Sequence, residues 1–208
     1  MRPHVFSFTP ADDDTDGLAN DVNSASGVAL TLAATSAGDG MAHLIILTPS
    51  GSITGNFSLT GTDPDGNAQT ETVATDTVNA VTSTKYFKTV TEVLAPSGIG
   101  AETIDIGWTD DAVSPTFIPD YKQANFSMGI GCDIVGTISY DIQHSFDDFF
   151  DSSVAYSAKT WLDHSSLAAK TADADGNYAA PVRAIRILLN SLSSGATIKV
   201  TLIQGSEG

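Results

Sequence analysis

Carboxylates are the side chains of this chain whose spacing most invites a chemical reading. Asp63-Pro64-Asp65-Gly66-Asn67 and Asp173-Ala174-Asp175-Gly176-Asn177 share the pattern D-x-D-G-N. It gathers hard oxygen ligands ahead of a sharp turn, as the opening half of an EF-hand calcium loop does. Loop position twelve should then be a bidentate Glu, but it is Ala74 in the first case and Ala184 in the second, so neither is an EF-hand. Solvated turn chemistry is the expected reading, with Asp and Asn side chains bonding nearby backbone. A looser calcium site would need carboxylates from Asp147, Asp148 or Asp151.

Other catalytic groupings are absent. His4, His43, His144 and His164 form no H-E-x-x-H or H-x-H pattern, which argues against a zinc site. His144 falls on the apolar parity of its segment, where a packed imidazole is expected rather than a ligand. Asn125 to Gly131 (NFSMGIG) lacks the spacing of a nucleophile elbow, and Gly129-Ile130-Gly131 reads as a β-bulge or strand-edge backbone. Paired carboxylates can hydrolyse glycosides, but Trp108 and Trp161 sit at strand-like positions that predict core packing rather than a sugar cleft. No catalytic residue, cofactor or metal is therefore expected, and the chain reads as a non-enzyme.

Composition narrows the class further. Nine basic residues against twenty-five acidic ones give a formal charge of −16, which repels phosphate backbones and anionic lipid, so nucleic-acid and membrane partners are disfavoured. Charged residues make up only 16% of the chain, and Thr, Ser, Gly, Asn and Ala fill the deficit. That mixture suits hydroxyl-faced sheets with tight turns. The lone Cys132 cannot form an intrachain disulfide and is expected as a small buried hydrophobe. Met1-Arg2-Pro3-His4 has no signal-peptide character, and no apolar run is long enough to span a bilayer, so synthesis in a cytoplasm and a soluble chain are expected.

The elements that would position any site are strands. Residues 1–40, with Asp12, Asp13, Asp14 and Asp16 and an Ala/Ser/Gly/Thr run, show little alternation and predict an extended N-terminal arm, flexible or laid on a neighbouring subunit. A first β module is expected over 41–109, a linker over 110–120, and a second, jelly-roll-like sandwich over 121–208. In the first, Asn56–Thr62 and Ala68–Ala74 flank the Asp63–Asn67 turn as a hairpin, and Ser83–Val93 reads as one strand. In the second, Ile134, Ile138, Tyr140, Ile142 and Phe146 share one parity, and Thr137, Ser139, Asp141, Gln143 and Ser145 the other, predicting a half-buried strand. An acidic loop with two aromatics follows at Asp147–Asp151, then a strand at Trp161-Leu162 and a loop at Thr171–Asn177. Val182–Leu189 and Thr197–Leu202, joined by Ser191–Gly195, are expected as antiparallel neighbours. The fold class is all-β, two antiparallel sandwich- or barrel-like modules.

Two stretches carry a family likeness. Leu59-Thr60-Gly61-Thr62-Asp63-Pro64-Asp65-Gly66-Asn67 with Gln69-Thr70-Glu71-Thr72, then Val81-Thr82-Ser83-Thr84-Lys85-Tyr86-Phe87-Lys88-Thr89-Val90, resembles small structural proteins of tailed bacteriophages. Ile138–His144 and Ala172–Arg186 are similar to another segment common in such proteins, so the likeness runs from about residue 55 to 204. It implies a virion component with no catalytic residues to transfer. Head decoration or cement on the capsid surface is the preferred placement, with tail or head-to-tail connector components carrying similar modules. The partners implied are the major capsid protein and sister copies in a trimer or dimer. Val5, Phe6 and Phe8 are the expected apolar anchors of the arm, and Phe149 and Phe150 a further contact patch. The same patch would serve a host- or carbohydrate-binding β module, the alternative reading.

Overall fold

The computed structural model describes residues 3–122 and 126–205, so Asn125, at the head of the NFSMGIG stretch, lies outside the described residues. Fourteen strands follow one another along those residues. They are β1 (His4–Phe8), β2 (Asp14–Val22), β3 (Ala42–Pro49), β4 (Asn56–Thr62), β5 (Ala68–Ala74), β6 (Val81–Phe87) and β7 (Thr89–Leu94). The remainder are β8 (Ile104–Val113), β9 (Met128–Val135), β10 (Ile138–Ser145), β11 (Leu162–Asp163), β12 (Ala174–Tyr178), β13 (Ala184–Leu192) and β14 (Thr197–Gln204). The only helical element among the described residues is a 3₁₀ turn at Tyr156–Ala158. The chain is all-β, with antiparallel pairing throughout the registered strands.

Two compact units emerge, Ala11–Ala112 and a C-terminal unit of Val113–Gly208 with Met1–Pro10. The boundaries differ from the expected 41–109, 110–120 and 121–208. The linker expectation fails because Val113 ends β8, while the Ser114 and Phe117 amides donate to the Ile187 and Ile185 carbonyls at 3.0 and 2.8 Å. The arm expectation over 1–40 fails as well. β1 pairs with β14 from His4↔Leu202 to Phe8↔Ile198, and β2 pairs with β8. Leu18 and Leu30 are buried in the core of the Ala11–Ala112 unit, and the Ala33 and Leu30 amides donate to the Leu18 and Val93 carbonyls. Fully burying a leucine contributes about 1.5–3 kcal/mol, which offsets the ordering of one or two residues. Leucines at irregular spacing anchor the segment although no periodicity announces it.

In the Ala11–Ala112 unit, β4 pairs with β5 from Asn56↔Ala74 to Thr62↔Ala68, the expected hairpin. Gly66 closes its turn at φ 87°, and Asp63, 3% exposed, accepts the amides of Asp65 and Asn67 at 2.9 Å each. Ser83–Val93 is not one strand. β6 pairs with β3 and β7 with β4, so the chain changes sheets at Lys88. Leu47, Ile53, Phe57, Leu59, Val93 and Ile106 fill the space enclosed.

The C-terminal unit is built on a two-stranded ribbon that bends at one corner. β9 and β10 change sheets across Gly136 (φ 84°), and β13 and β14 do the same across Gly195 (φ 74°). β9 pairs with β14 and β10 with β13, with the corner held by the Ser193 amide donating to the Thr137 carbonyl at 2.9 Å. The expected antiparallel hairpin of Val182–Leu189 and Thr197–Leu202 is thus corrected, because a short Ser/Gly connection can turn a corner between sheets as well as within one. The expected bulge at Gly129–Gly131 is also absent: β9 is an unbroken central strand between β14 and β12. Likewise, the loop expected over Thr171–Asn177 contains β12, in which Gly176 faces Ile130.

β10 departs from its half-buried expectation too. Ile138, Tyr140 and Ile142 are buried as the parity predicts, but Ile134 is only half-buried and Phe146 is 59% exposed, and Asp141, Gln143 and Ser145 of the other parity are buried, at 8, 8 and 0% exposure. Alternation reports polarity, and here the segment after β10 folds back over its polar face.

Candidate interaction surface

That covering segment, 146–170, organises the most chemically distinctive part of the molecule. Beneath it, three strands contribute one side chain each to a row, since Gln143 on β10 is opposite both Asp163 on β11 and Arg186 on β13. The Gln143 amide nitrogen donates to Asp163 at 2.8 Å, and its oxygen accepts from Arg186 Nε at 2.8 Å. Arg186 Nη1 reaches the Tyr156 hydroxyl at 3.0 Å, and its guanidinium lies 4.2 Å from the Trp161 ring centroid. A neutral amide thus connects a guanidinium and a carboxylate that are one strand too far apart to pair directly.

Cations and rings alternate outward from this row. Trp161 meets Phe149 edge-on at 5.3 Å and Tyr156 at 5.8 Å. Lys159 lies 4.9 Å over Phe149, and Arg183 lies 4.4 Å over Tyr121 and 6.0 Å over Phe150 while pairing with Asp148 at 2.6 Å. Three of the nine basic residues therefore converge on one loop system of an acidic chain. Cation–π contacts of this kind contribute about 0.5–2 kcal/mol each and stiffen the loop. Phe146, Phe150, Val154 and Leu162 in the same segment stand exposed, Phe150 by 69%, with Leu162 and Phe146 on the His144 face of β10 rather than on the face of the Gln143 row.

The expected contact residues separate into two groups. Phe149 is half-buried beneath the surface and supports it, while Phe150 is its most exposed ring. Val5 is exposed, whereas Phe6 packs within its own unit against Phe117 at 5.5 Å and His4 at 4.6 Å, and Phe8 is half-buried in β1. The three belong to a paired strand, not to a free arm. Arg183, Arg186 and Gln143 were not marked as site residues, and Trp161, expected in the core, is only half-buried here, since cross-strand rows need a register that no local pattern supplies.

The carboxylate motifs go different ways. Asp63 turns inward to cap its hairpin, as described, while Asp173 accepts the Ile134 amide at 2.8 Å beside β12. Asp147, Asp148 and Asp151 bind their own loop: Asp148 accepts the Phe150 amide and Asp151 the Ser153 amide, at 3.0 and 2.9 Å. Among the described residues no group of three or more His, Cys, Asp or Glu is placed to hold a metal ion.

Of the histidines, His144 packs edge-on against Phe146 and Tyr178 at 5.4 and 5.2 Å, the packed imidazole expected of its parity. Burial pushes its basicity below the ordinary histidine range and the neighbouring His164 adds to this, with Asp163 opposing. Cys132 is buried, and desolvation pushes its thiol up to about 11 against a lowering hydrogen bond from Tyr140. Trp108 is 8% exposed and donates its indole N–H to the Asp12 carbonyl at 2.9 Å, as its expected core role requires. No known protein-family model matches the chain, and no curated protein sequence matches it significantly.

Proposed function

We propose that this chain is a non-enzymatic structural component of a tailed-bacteriophage virion, placed on the outside of the head as a decoration or cement protein. The observation that carries the reading is the 146–162 loop, where Phe150 stands 69% exposed beside Arg183, which is itself stacked on Tyr121 and paired with Asp148. Arginine and aromatic residues concentrated at one preorganised patch are what a protein–protein interface uses for its strongest contacts. The likeness of residues 55 to 204 to phage structural proteins supplies the kind of partner, the capsid shell.

Such a protein acts by bridging. Each copy rests across neighbouring capsomers, and modest contacts repeated over a lattice and within a trimer or dimer sum to a large stabilisation. The −16 charge opposes adhesion to nucleic acid and to anionic surfaces outside the particle.

Co-sedimentation of the purified chain with undecorated phage heads, imaged by negative stain, tests this. Saturable occupancy at lattice positions is expected, reduced about tenfold or more in affinity by Phe150→Ser, the cost of an interface hot spot. Rings, or attachment to tails instead of heads, would move the protein to the tail or connector. Binding to neither, with retention on host glycans, would favour a host-binding module.

A further inference from the structure

Sheet edges are where a β protein is open to another chain, because each edge strand leaves a row of backbone N–H and C=O groups without a partner. Most edges of this molecule are closed. Glu71 on β5 accepts the Thr84 and Lys85 amides of β6 at 2.7 and 3.0 Å, so those two edges cover each other. β7 is bordered by the 27–35 segment, with the Leu30 amide donating to the Val93 carbonyl and the Val90 amide to the Thr35 carbonyl, each at 2.8 Å. β12 carries Asp175 and has His164 Nε2 3.1 Å from its Asn177 carbonyl. β11 is two residues long, and β2 holds Asp14, Asp16 and Asp21 on a pairing with β8 that shifts register twice.

β1 has none of these devices. It borders the sheet β1-β14-β9-β12, and among the described residues no strand lies on its other side and no backbone group of His4–Phe8 bonds outside the β14 ladder. The ladder runs unshifted from His4↔Leu202 to Phe8↔Ile198, so there is no bulge, and His4-Val5-Phe6-Ser7-Phe8 contains no Lys, Arg, Asp, Glu or Pro. In a chain of formal charge −16, this edge has no carboxylate of its own to repel another copy. The strand is also poorly covered. His4, Phe6 and Phe8 are opposite Leu202, Val200 and Ile198, which are 2, 2 and 0% exposed, so these residues share the core-facing side. Yet His4 is exposed and Phe6 and Phe8 are only half-buried, although Phe6 meets Phe117 at 5.5 Å. Phe6 also lines an apolar gap together with Phe117, Val200 and Leu202.

We propose that β1 is a self-pairing edge: two copies of the chain join antiparallel along it, Phe6 opposite Phe6, and their four-stranded sheets become one. In that register His4 is opposite Phe8 and Val5 opposite Ser7 of the second copy. Residues directly opposite share a face, so the half-covered row His4, Phe6 and Phe8 continues into the same row of the second copy and is covered from the side. Two features select a second copy as the occupant. The strand is uncharged, so like meets like without repulsion, and its apolar row is its own complement in the antiparallel register. Pairing about a single residue is a two-fold contact, which closes at two copies and leaves neither β1 edge open. A five-residue strand pair is small beside the roughly 1,000 Å² of a stable interface, so the association is weak, on the order of 10 µM. The inference concerns the chain in solution: it selects the dimer over the trimer, and it stands whether or not the protein decorates a head.

Sedimentation equilibrium of the full chain from about 1 to about 300 µM tests the pairing, with a monomer–dimer equilibrium of Kd on the order of 10 µM expected. Val5 is 52% exposed and Ser7 is exposed as well, so charges at these positions are compatible with the fold. Val5→Lys combined with Ser7→Lys sets lysines directly opposite one another in the dimer and should weaken association about tenfold or more. Val5→Asp combined with Ser7→Asp should weaken it in the same way. Mixing the two double variants sets lysine against aspartate and should restore a mixed dimer about as tight as the wild type, which also shows that β1 keeps its place in both. A monomer throughout, a closed trimer, a dimer that the lysines leave unchanged, or no mixed dimer from the two variants would each overturn the proposal. A chain that stays monomeric yet gains hydrogen-exchange protection over 4–8 on phage heads would overturn it too, and would assign the edge to the capsid shell.

Discussion

Asp39 Oδ2 lies 2.9 Å from His43 Nε2, with both side chains almost wholly enclosed, at 5 and 2% exposure. The carboxylate also accepts the Ala11 amide at 2.8 Å and the Met41 amide at 2.9 Å, so one group joins the start of the unit to the entry of β3. Burial raises the Asp39 pKa, but the hydrogen bond and charge of His43 with the two amides outweigh it, and the net direction is down.

Removing one partner leaves the other buried and unpaired. Asp39→Ala should destabilise the Ala11–Ala112 unit by about 3 kcal/mol, and Asp39→Asn by less, since the amide oxygen can still accept. Urea unfolding followed by Trp108 fluorescence reads both. Because the carboxyl is held below its ordinary range, its contribution is complete above about pH 4 and is lost as the pH falls through the folded value. A wild-type stability profile that exceeds that of Asp39→Asn above about pH 4 and converges on it as the pH falls through the folded value is the expected result.

Glycines at two kinds of position should respond in opposite ways. A Cβ on Gly107 would meet the Asp14 carbonyl oxygen at 1.8 Å, backbone against backbone, whereas one on Gly131 meets nothing within 4 Å. Gly107→Ala should cost about 2–3 kcal/mol or prevent folding, and Gly131→Ala should be neutral or stabilise by up to about 1 kcal/mol. Thermal melting of the two variants side by side decides it.

The thiol of Cys132 should be inert in the native chain. Burial and a pKa pushed up to about 11 leave almost no thiolate at about pH 8. Labelling with a disulfide reagent is expected to follow the opening of the C-terminal unit, with rapid reaction in urea. Fast stoichiometric labelling without denaturant would contradict the packing described.

The Asp163–Gln143–Arg186 row makes a graded prediction. Gln143→Leu removes the link between guanidinium and carboxylate and should cost about 1.5–3 kcal/mol, the worth of hydrogen bonds to charged groups. Gln143→Glu, which pairs with Arg186 but confronts Asp163, should lose less at low pH than at neutral pH. Chemical denaturation of the C-terminal unit at both pH values measures the difference.

Sequence alone determined those parts of the molecule whose causes are local. The hairpin from Asn56 to Ala74 is written in two alternating runs and in Asp63, Pro64, Gly66 and Asn67, whose turn preferences act within five residues. All-β character and the inward set Ile138, Tyr140 and Ile142 follow from periodicity in the same way.

Tertiary structure decided everything that depends on what a segment meets. The two D-x-D-G-N motifs are alike in sequence, yet Gly66 takes a left-handed turn while Gly176 lies in a strand opposite Ile130. The difference is that β9 offers the second motif a ladder of backbone partners. Lys88 and Gly136 interrupt runs that alternate without a visible break, because alternation records which way side chains point, not which sheet receives them. Leu18 and Leu30 became core, and Asp141, Gln143 and Ser145 were buried, because distant chain segments covered them. His164 was placed in the same way, with Nε2 3.1 Å from the Asn177 carbonyl on β12, a partner thirteen residues along the chain.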